Sequence, residues 1–143
     1  MDFSTLFQLI GAVLLGGLIG FEREYKRKEA GLQTYSLVAL GACLFTIIAF
    51  ELFNAFTGRL GSSFDLSRVI QAIAIGIGFL GAGVIFQQER SIEGLTTAAG
   101  LWVTAAIGLS IGAKLYFLAV FTTLLALGVL AGFGYLEYKI FKK

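Results

Sequence analysis

Residues 71–112 read QAIAIGIGFLGAGVIFQQERSIEGLTTAAGLWVTAAIGLSIG, two apolar runs crowded with glycine and alanine. A short charged connection ending Gly94-Leu95-Thr96-Thr97 joins them. Each run is about as long as the roughly 20 residues that a helix needs to cross a hydrocarbon core, and neither carries a charge in its middle. The pair is a membrane hairpin suited to close helix contact, so any function of this chain has to be argued inside a bilayer.

Composition agrees. Of 143 residues, 57% are hydrophobic and only 14% charged, with a mean hydropathy of +0.87. That leaves too little polar material to cover a soluble globule. The expectation is one transmembrane domain over 1–143, with no soluble catalytic domain, no enzyme activity and no nucleic-acid partner. There is no histidine and a single cysteine, Cys43, which sits in an apolar run; neither a disulfide framework nor a soft-metal site is expected. Gly76-Ile77-Gly78-Phe79-Leu80-Gly81 matches G-x-G-x-x-G. It lies inside a membrane-length run, without the preceding strand or the later acidic residue of a dinucleotide fingerprint, so no nucleotide cofactor is expected.

Five spans are expected, over about 3–21, 35–53, 69–86, 97–111 and 115–136. Helices are required, because only helices and closed barrels satisfy backbone polar groups in lipid and no alternating pattern is present. The fold class is therefore an all-α polytopic membrane protein. The first span has no basic residue before it and four after it, Arg23, Lys26, Arg27 and Lys28, the reverse of a cleavable signal. These four, Arg90, Lys139, Lys142 and Lys143 fall on one side, against Arg59, Arg68 and Lys114 on the other. By the positive-inside rule the amino terminus is outside and the carboxyl terminus cytoplasmic.

Small residues recur at four-residue spacing: Ala12, Gly16 and Gly20; Ala74, Gly78 and Ala82; Gly100, Thr104, Gly108 and Gly112; Gly128 and Gly132. Residues four apart share a helix face, so each stripe is expected to let another backbone approach; the alternative is a pore lining. Proline is absent from the chain, so an unwound transporter-type segment would have to rely on glycine.

The two cytoplasmic connections look alike. Glu22-Arg23 precedes Gly31-Leu32-Gln33-Thr34, and Glu89-Arg90 precedes Gly94-Leu95-Thr96-Thr97. Aligning the Glu-Arg pairs superposes Gly11 on Gly78 and Gly16 on Gly83, as in a parallel repeat of two hairpins with a fifth helix appended. Gly31 and Gly94 would supply positive φ, and Thr34 with Thr96 or Thr97 would cap the following helices. Flanked by Arg23 and Arg90, these turns would also form an anion-receptive or partner-docking face. Glu22 with Lys26 and Glu24 with Lys28 are i,i+4 pairs that would extend the first helix beyond the lipid, and the basic run suits anionic headgroups. On the opposite side, Asp65 is a natural helix cap with Arg68 and Gln71 following. Glu51 and Asp65 are weak candidates for holding a hard cation such as Mg²⁺.

The strings AGLQTYSLVALGA from Ala30, Asp65-x-x-Arg68 with Gln71, GIGFLGAGVI from Gly76 and GLTTAAGLWVTAAIGL from Gly94 resemble the amino-terminal membrane domain of the MgtC/SapB family, over nearly the whole chain. The resemblance implies a five-helix bacterial inner-membrane protein tied to magnesium limitation, acid stress or survival in host cells. It implies a regulator that works through other membrane proteins, a cation-transporting or proton-translocating ATPase among them. Functional positions by resemblance are Arg23, Gly31, Thr34, Asp65, Arg68, Gln71, Arg90, Thr96 and Thr97. Gln33 and Glu93 depart from the family, which commonly carries basic residues there, and both remove positive charge from the turns. The soluble carboxyl-terminal domain of longer relatives is not in this sequence, so any sensing by that domain is not carried over.

Two function classes remain: a regulatory protein that binds other membrane proteins, and a Mg²⁺ or proton carrier formed by an oligomer. Mid-span polar groups are mainly Thr46, Thr104, Thr122 and Thr123. Conduction normally calls for ionisable groups at depth, so the first class is favoured.

Overall fold

The computed structural model describes residues 3–56, 65–88, 91–133 and 139–140. All five expected spans are helices: α1 (Phe3–Tyr25), α2 (Leu32–Phe56), α3 (Leu66–Val84), α4 (Leu95–Gly112) and α5 (Tyr116–Leu127), the last continuing as a π-helical segment, Gly128–Phe133. Each is long and apolar enough to cross a membrane. The protein is a multi-pass membrane protein.

α3 stops at Val84, earlier than expected. The chain then forms a two-stranded antiparallel ribbon, β1 (Phe86–Gln88) and β2 (Ser91–Glu93), with Phe86 opposite Glu93. Ile85 and Phe86 extend the apolar run in composition, which is why the sequence reads as a longer helix. Gly94 closes the ribbon in the left-handed region at φ 83°. A β-carbon there would also overlap the Val84 carbonyl, so glycine is required on both counts.

α4 is the centre. Half of its membrane-spanning window is buried, against 11% for α3 and α5. α2 is wedged between α1 and α4, and the wedge is built on the small residues. A β-carbon at Gly16 would lie 2.7 Å from the Ala39 β-carbon, one at Gly20 2.8 Å from the Leu32 α-carbon, and one at Gly100 2.5 Å from the Tyr35 hydroxyl. At Gly108 it would overlap the Ala39 carbonyl, and at Gly112 it would lie 2.7 Å from the Cys43 carbonyl. These five are the expected packing seam, in which backbones close to contact and gain dispersion where lipid offers no hydrophobic drive.

The stripe on α3 is not a seam within the protomer. Gly78 faces open space, as do Gly76 and Gly83, and only Gly81 meets a neighbour, the Ala98 side chain at 3.4 Å. Gly128 and Gly132 are equally open. α3 rests on α4 and leans from α2, leaving an apolar groove of about 1,090 Å³ lined by Gly41, Phe45, Ala72, Gly76 and Ile77, with Asp65 and Arg68 at one end. The repeat suggested by the sequence is not carried into local structure. Residues 19–21 of α1 are helical whereas the aligned Phe86–Gln88 is a strand, and the aligned Gly16 and Gly83 have opposite environments although Gly11 and Gly78 are both open; Glu89 and Arg90, the counterparts of Glu22 and Arg23, lie outside the described residues.

α1 brackets α4 antiparallel to it. Gln8 donates to the Ile111 and Gly112 carbonyls at 2.8 and 2.9 Å, a second bond for Ile111, which also accepts from the Lys114 N–H, and a partner for Gly112 at the helix carboxyl end. Fifteen residues along, Arg23 reaches Thr97 at the other end. The same separation on both helices, about 22 Å at 1.5 Å per residue, brings both contacts into register.

Candidate functional site

Charge is concentrated where α1 ends. Gly20 lets the α1 backbone close on the start of α2, which carries Arg23 into the protein, 2% exposed, although it lies beyond the apolar part of the span. Such a guanidinium must be paired or hydrogen-bonded. Its Nη2 donates to Thr97 Oγ1 at 3.3 Å and its Nη1 lies 3.6 Å from Glu22. Its Nε is buried with no hydrogen-bond partner among the described residues.

Thr97 is the hub. Its hydroxyl accepts from Arg23 and donates to Glu29 of the first loop, while its carbonyl accepts from the Tyr35 hydroxyl at 3.1 Å. One threonine therefore links α1, the loop, α2 and α4. Glu22 ion-pairs with Lys26 at 2.6 Å as expected, and Lys26 also donates to the Leu130 carbonyl at 2.9 Å, adding the π-helical segment after α5. Widened helix turns of this kind are frequent at functional positions. The Glu29 carboxyl is held below the usual carboxylate range, first by the Thr97 hydrogen bond and then by its own backbone N–H, with Lys28 and Arg23 adding positive potential. A polar pocket of about 420 Å³ opens here, lined by Arg23, Lys28, Glu29, Glu93, Thr96 and Thr97.

The expected capping scheme is corrected. Thr97 binds side chains and not a free amide of its own helix, and no side chain caps α4 at Gly94. Thr34 and Thr96 are exposed without capping bonds. Glu24 has left the expected pairing with Lys28 and instead accepts from the Leu32 N–H at 3.1 Å, the first amide of α2. Gly31 is not at positive φ, and a β-carbon there would meet only the movable end of the exposed Glu24 side chain at close range. Arg90 lies outside the described residues.

At the opposite end Asp65 caps α3 as expected, accepting from Ser67 N–H at 2.9 Å. That hydrogen bond lowers its carboxyl pKa. Glu51 is exposed on α2 and does not join Asp65 in lining the groove. Among the described residues no group of three metal-capable side chains occurs. Arg68 and Gln71 are exposed on α3. Of the positions taken from resemblance, the fold thus brings together Arg23, Thr96 and Thr97, and holds Asp65, Arg68 and Gln71 apart from them.

Sequence reasoning missed Glu22 as a half-buried partner of Arg23, Glu29, Tyr35 and Gln8. The signals were faint: a lone acid ending the run Lys26-Arg27-Lys28-Glu29, and a lone glutamine in the apolar first span.

Comparison with known proteins adds the family. The MgtC family model matches residues 9–139, and the chain belongs to the MgtC family. It is 38% identical over 143 residues to YhiD of Escherichia coli (strain K12), named as a candidate magnesium transporter, covering 100% of this chain and 66% of that protein. It is 44% identical over 121 residues to the protein MgtC of Brucella abortus (strain 2308), covering 85% and 48%, and 40% identical over 143 residues to SrpB of Synechococcus elongatus, covering 92% and 75%. The chain thus spans between about half and two thirds of the length of the YhiD and MgtC relatives. No solved structure matches.

Proposed function

We propose that this chain is a regulatory bacterial inner-membrane protein of magnesium homeostasis and stress adaptation that acts by binding other membrane proteins, and that it is not an enzyme. Family membership and the magnesium role named for YhiD support the physiological setting. The observation that carries the mode of action is where the buried polar groups point. The Thr46, Thr104, Ser110 and Thr123 hydroxyls all donate to the carbonyl four residues back on their own helix, so among the described residues these hydroxyls bond within single helices and do not link into a polar chain across the bundle. Ionisable side chains gather instead at one end, around Arg23 and Thr97.

With the amino terminus outside, that end is cytoplasmic, as the distribution of Lys and Arg favours. Its tied loop, helix ends and ribbon then form the docking face, with other membrane proteins as partners and a homo-oligomer compatible with the open face of α3. A second reading, ion passage between copies, draws on the α2–α3 groove, which carries Asp65 and Arg68 at its rim. Reconstitution of the purified protein in liposomes separates the two. Regulation predicts Mg²⁺ and proton flux no greater than in empty liposomes; robust flux abolished by Asp65→Ala overturns it.

A further inference from the structure

We propose that the pocket at the amino end of α4 is an oxyanion site for a phosphate group, and that Glu29 is its tethered occupant. Three observations converge. The first turn of α4 has no side-chain cap, and free helix amides with the positive end of the dipole favour an anion. Arg23 lines the same pocket, buried to all but 2%, with its Nε unpartnered among the described residues. A buried guanidinium with an unused donor favours a further oxygen acceptor. Finally, the pocket already holds a carboxylate. Glu29, from an exposed loop, places an oxygen on the Thr97 hydroxyl that Arg23 also contacts.

Charge explains why the occupant is exchangeable. With Glu29 in place, Arg23 and Lys28 face Glu29 and Glu93, and the lining is balanced. With Glu29 swung out, the lining keeps Arg23 and Lys28 against Glu93, while Glu22, 3.6 Å from Arg23, is itself paired with Lys26, and the remaining positive charge adds to that of the α4 dipole. An exposed glutamate on a loop leaves at little cost, whereas buried Arg23 and the helix end stay fixed. A phosphate group, with more acceptor oxygens than a carboxylate, can engage the amides, the Thr97 hydroxyl and the cations together. The shared chemistry is a phosphate oxyanion, delivered free in solution or on a lipid headgroup.

The site is independent of the proposed regulatory role, because it is read on the purified chain with no partner present. The full chain in phosphatidylcholine nanodiscs is titrated with inorganic phosphate by calorimetry. Saturable binding is expected, tightened about fivefold by Glu29→Gln, which removes the competing charge, and weakened about threefold by Lys28→Gln at an exposed position. Arg23→Lys is expected to abolish it. Should that variant not fold, the two loop variants still decide. Repeating the titration with phosphatidylglycerol in the nanodisc distinguishes sources: lost phosphate binding assigns the site to a lipid headgroup, retained binding to a soluble phosphate. No saturable binding in wild type and Glu29→Gln, or binding indifferent to both loop variants, overturns the proposal.

Discussion

α3 and α4 are the two arms of the hairpin over 71–112, matched in length and in glycine content, yet they live in different surroundings. On α4 every glycine meets a neighbour, and the helix is pinned by Arg23 at its start and Gln8 at its end. On α3 three of four glycines face open space, and among the described residues its side-chain tie is the Asp65 cap on its first turn. The difference teaches what a small-residue stripe means. It states how closely something can approach a helix, and says nothing of whether the approaching body is in the same chain.

The largest expected effect tests that difference directly. Gly108→Leu drives a side chain into the Ala39 carbonyl and should cost about 3 kcal/mol, whereas Gly78→Leu and Leu118→Ala, on open faces, should each stay within about 0.5 kcal/mol. Unfolding in detergent reads this; equal losses for Gly108→Leu and Gly78→Leu would break the comparison. Next, Arg23→Gln removes the cation that ties α1 to α4 and leaves Glu22 with Lys26 alone, a loss of about 2 kcal/mol by the same assay. Thr97→Val keeps the shape but removes the hydroxyl, and about 1 kcal/mol of stability should go, with faster amide exchange at the start of α4. Asp65→Ala is the matching change on α3. Losing that exposed cap should lower stability less than the Thr97 change and raise exchange only in the first turn of α3.

The smallest effect concerns pH. Because the folded carboxyl of Glu29 is lowered, its contribution is present above the ordinary glutamate pKa and is lost as pH falls through the folded value. Arg23 and Lys28 face it across the pocket, and Glu93 is the other carboxyl there. Thermal unfolding between about pH 6 and pH 3 should therefore cost wild type a few tenths of a kcal/mol more than Glu29→Gln, a small figure because Glu29 is exposed. An identical pH dependence for both would detach Glu29 from Thr97.

Much of the fold was legible because apolar length and glycine spacing are local properties. The five spans, the Asp65 cap, the Glu22–Lys26 pair and the seam at Gly16, Gly20, Gly100, Gly108 and Gly112 all follow from residues near one another in sequence. The site was half legible. Arg23 and Thr97 were marked by the two matching turns and again by resemblance, but a threonine after Gly-Leu-x reads equally well as a cap, and its partners Glu29 and Arg23 lie 68 and 74 residues away. Glu24 illustrates the same limit. Its spacing to Lys28 predicts an ion pair, and the turn of the chain offers it the Leu32 amide instead.

By itself the sequence determined that this chain crosses a membrane with five helices and carries surfaces for close packing, since a bilayer leaves apolar segments of this length few other arrangements. Only the tertiary structure decided that α4 lies at the centre, that α3 stands open, and that Arg23, Glu29 and Thr97 converge. The physical reason is that lipid is as apolar as the helix faces themselves. Neighbours are then chosen by shape and by the few polar groups that must find one another across the bundle, and neither can be read along a single strand of sequence.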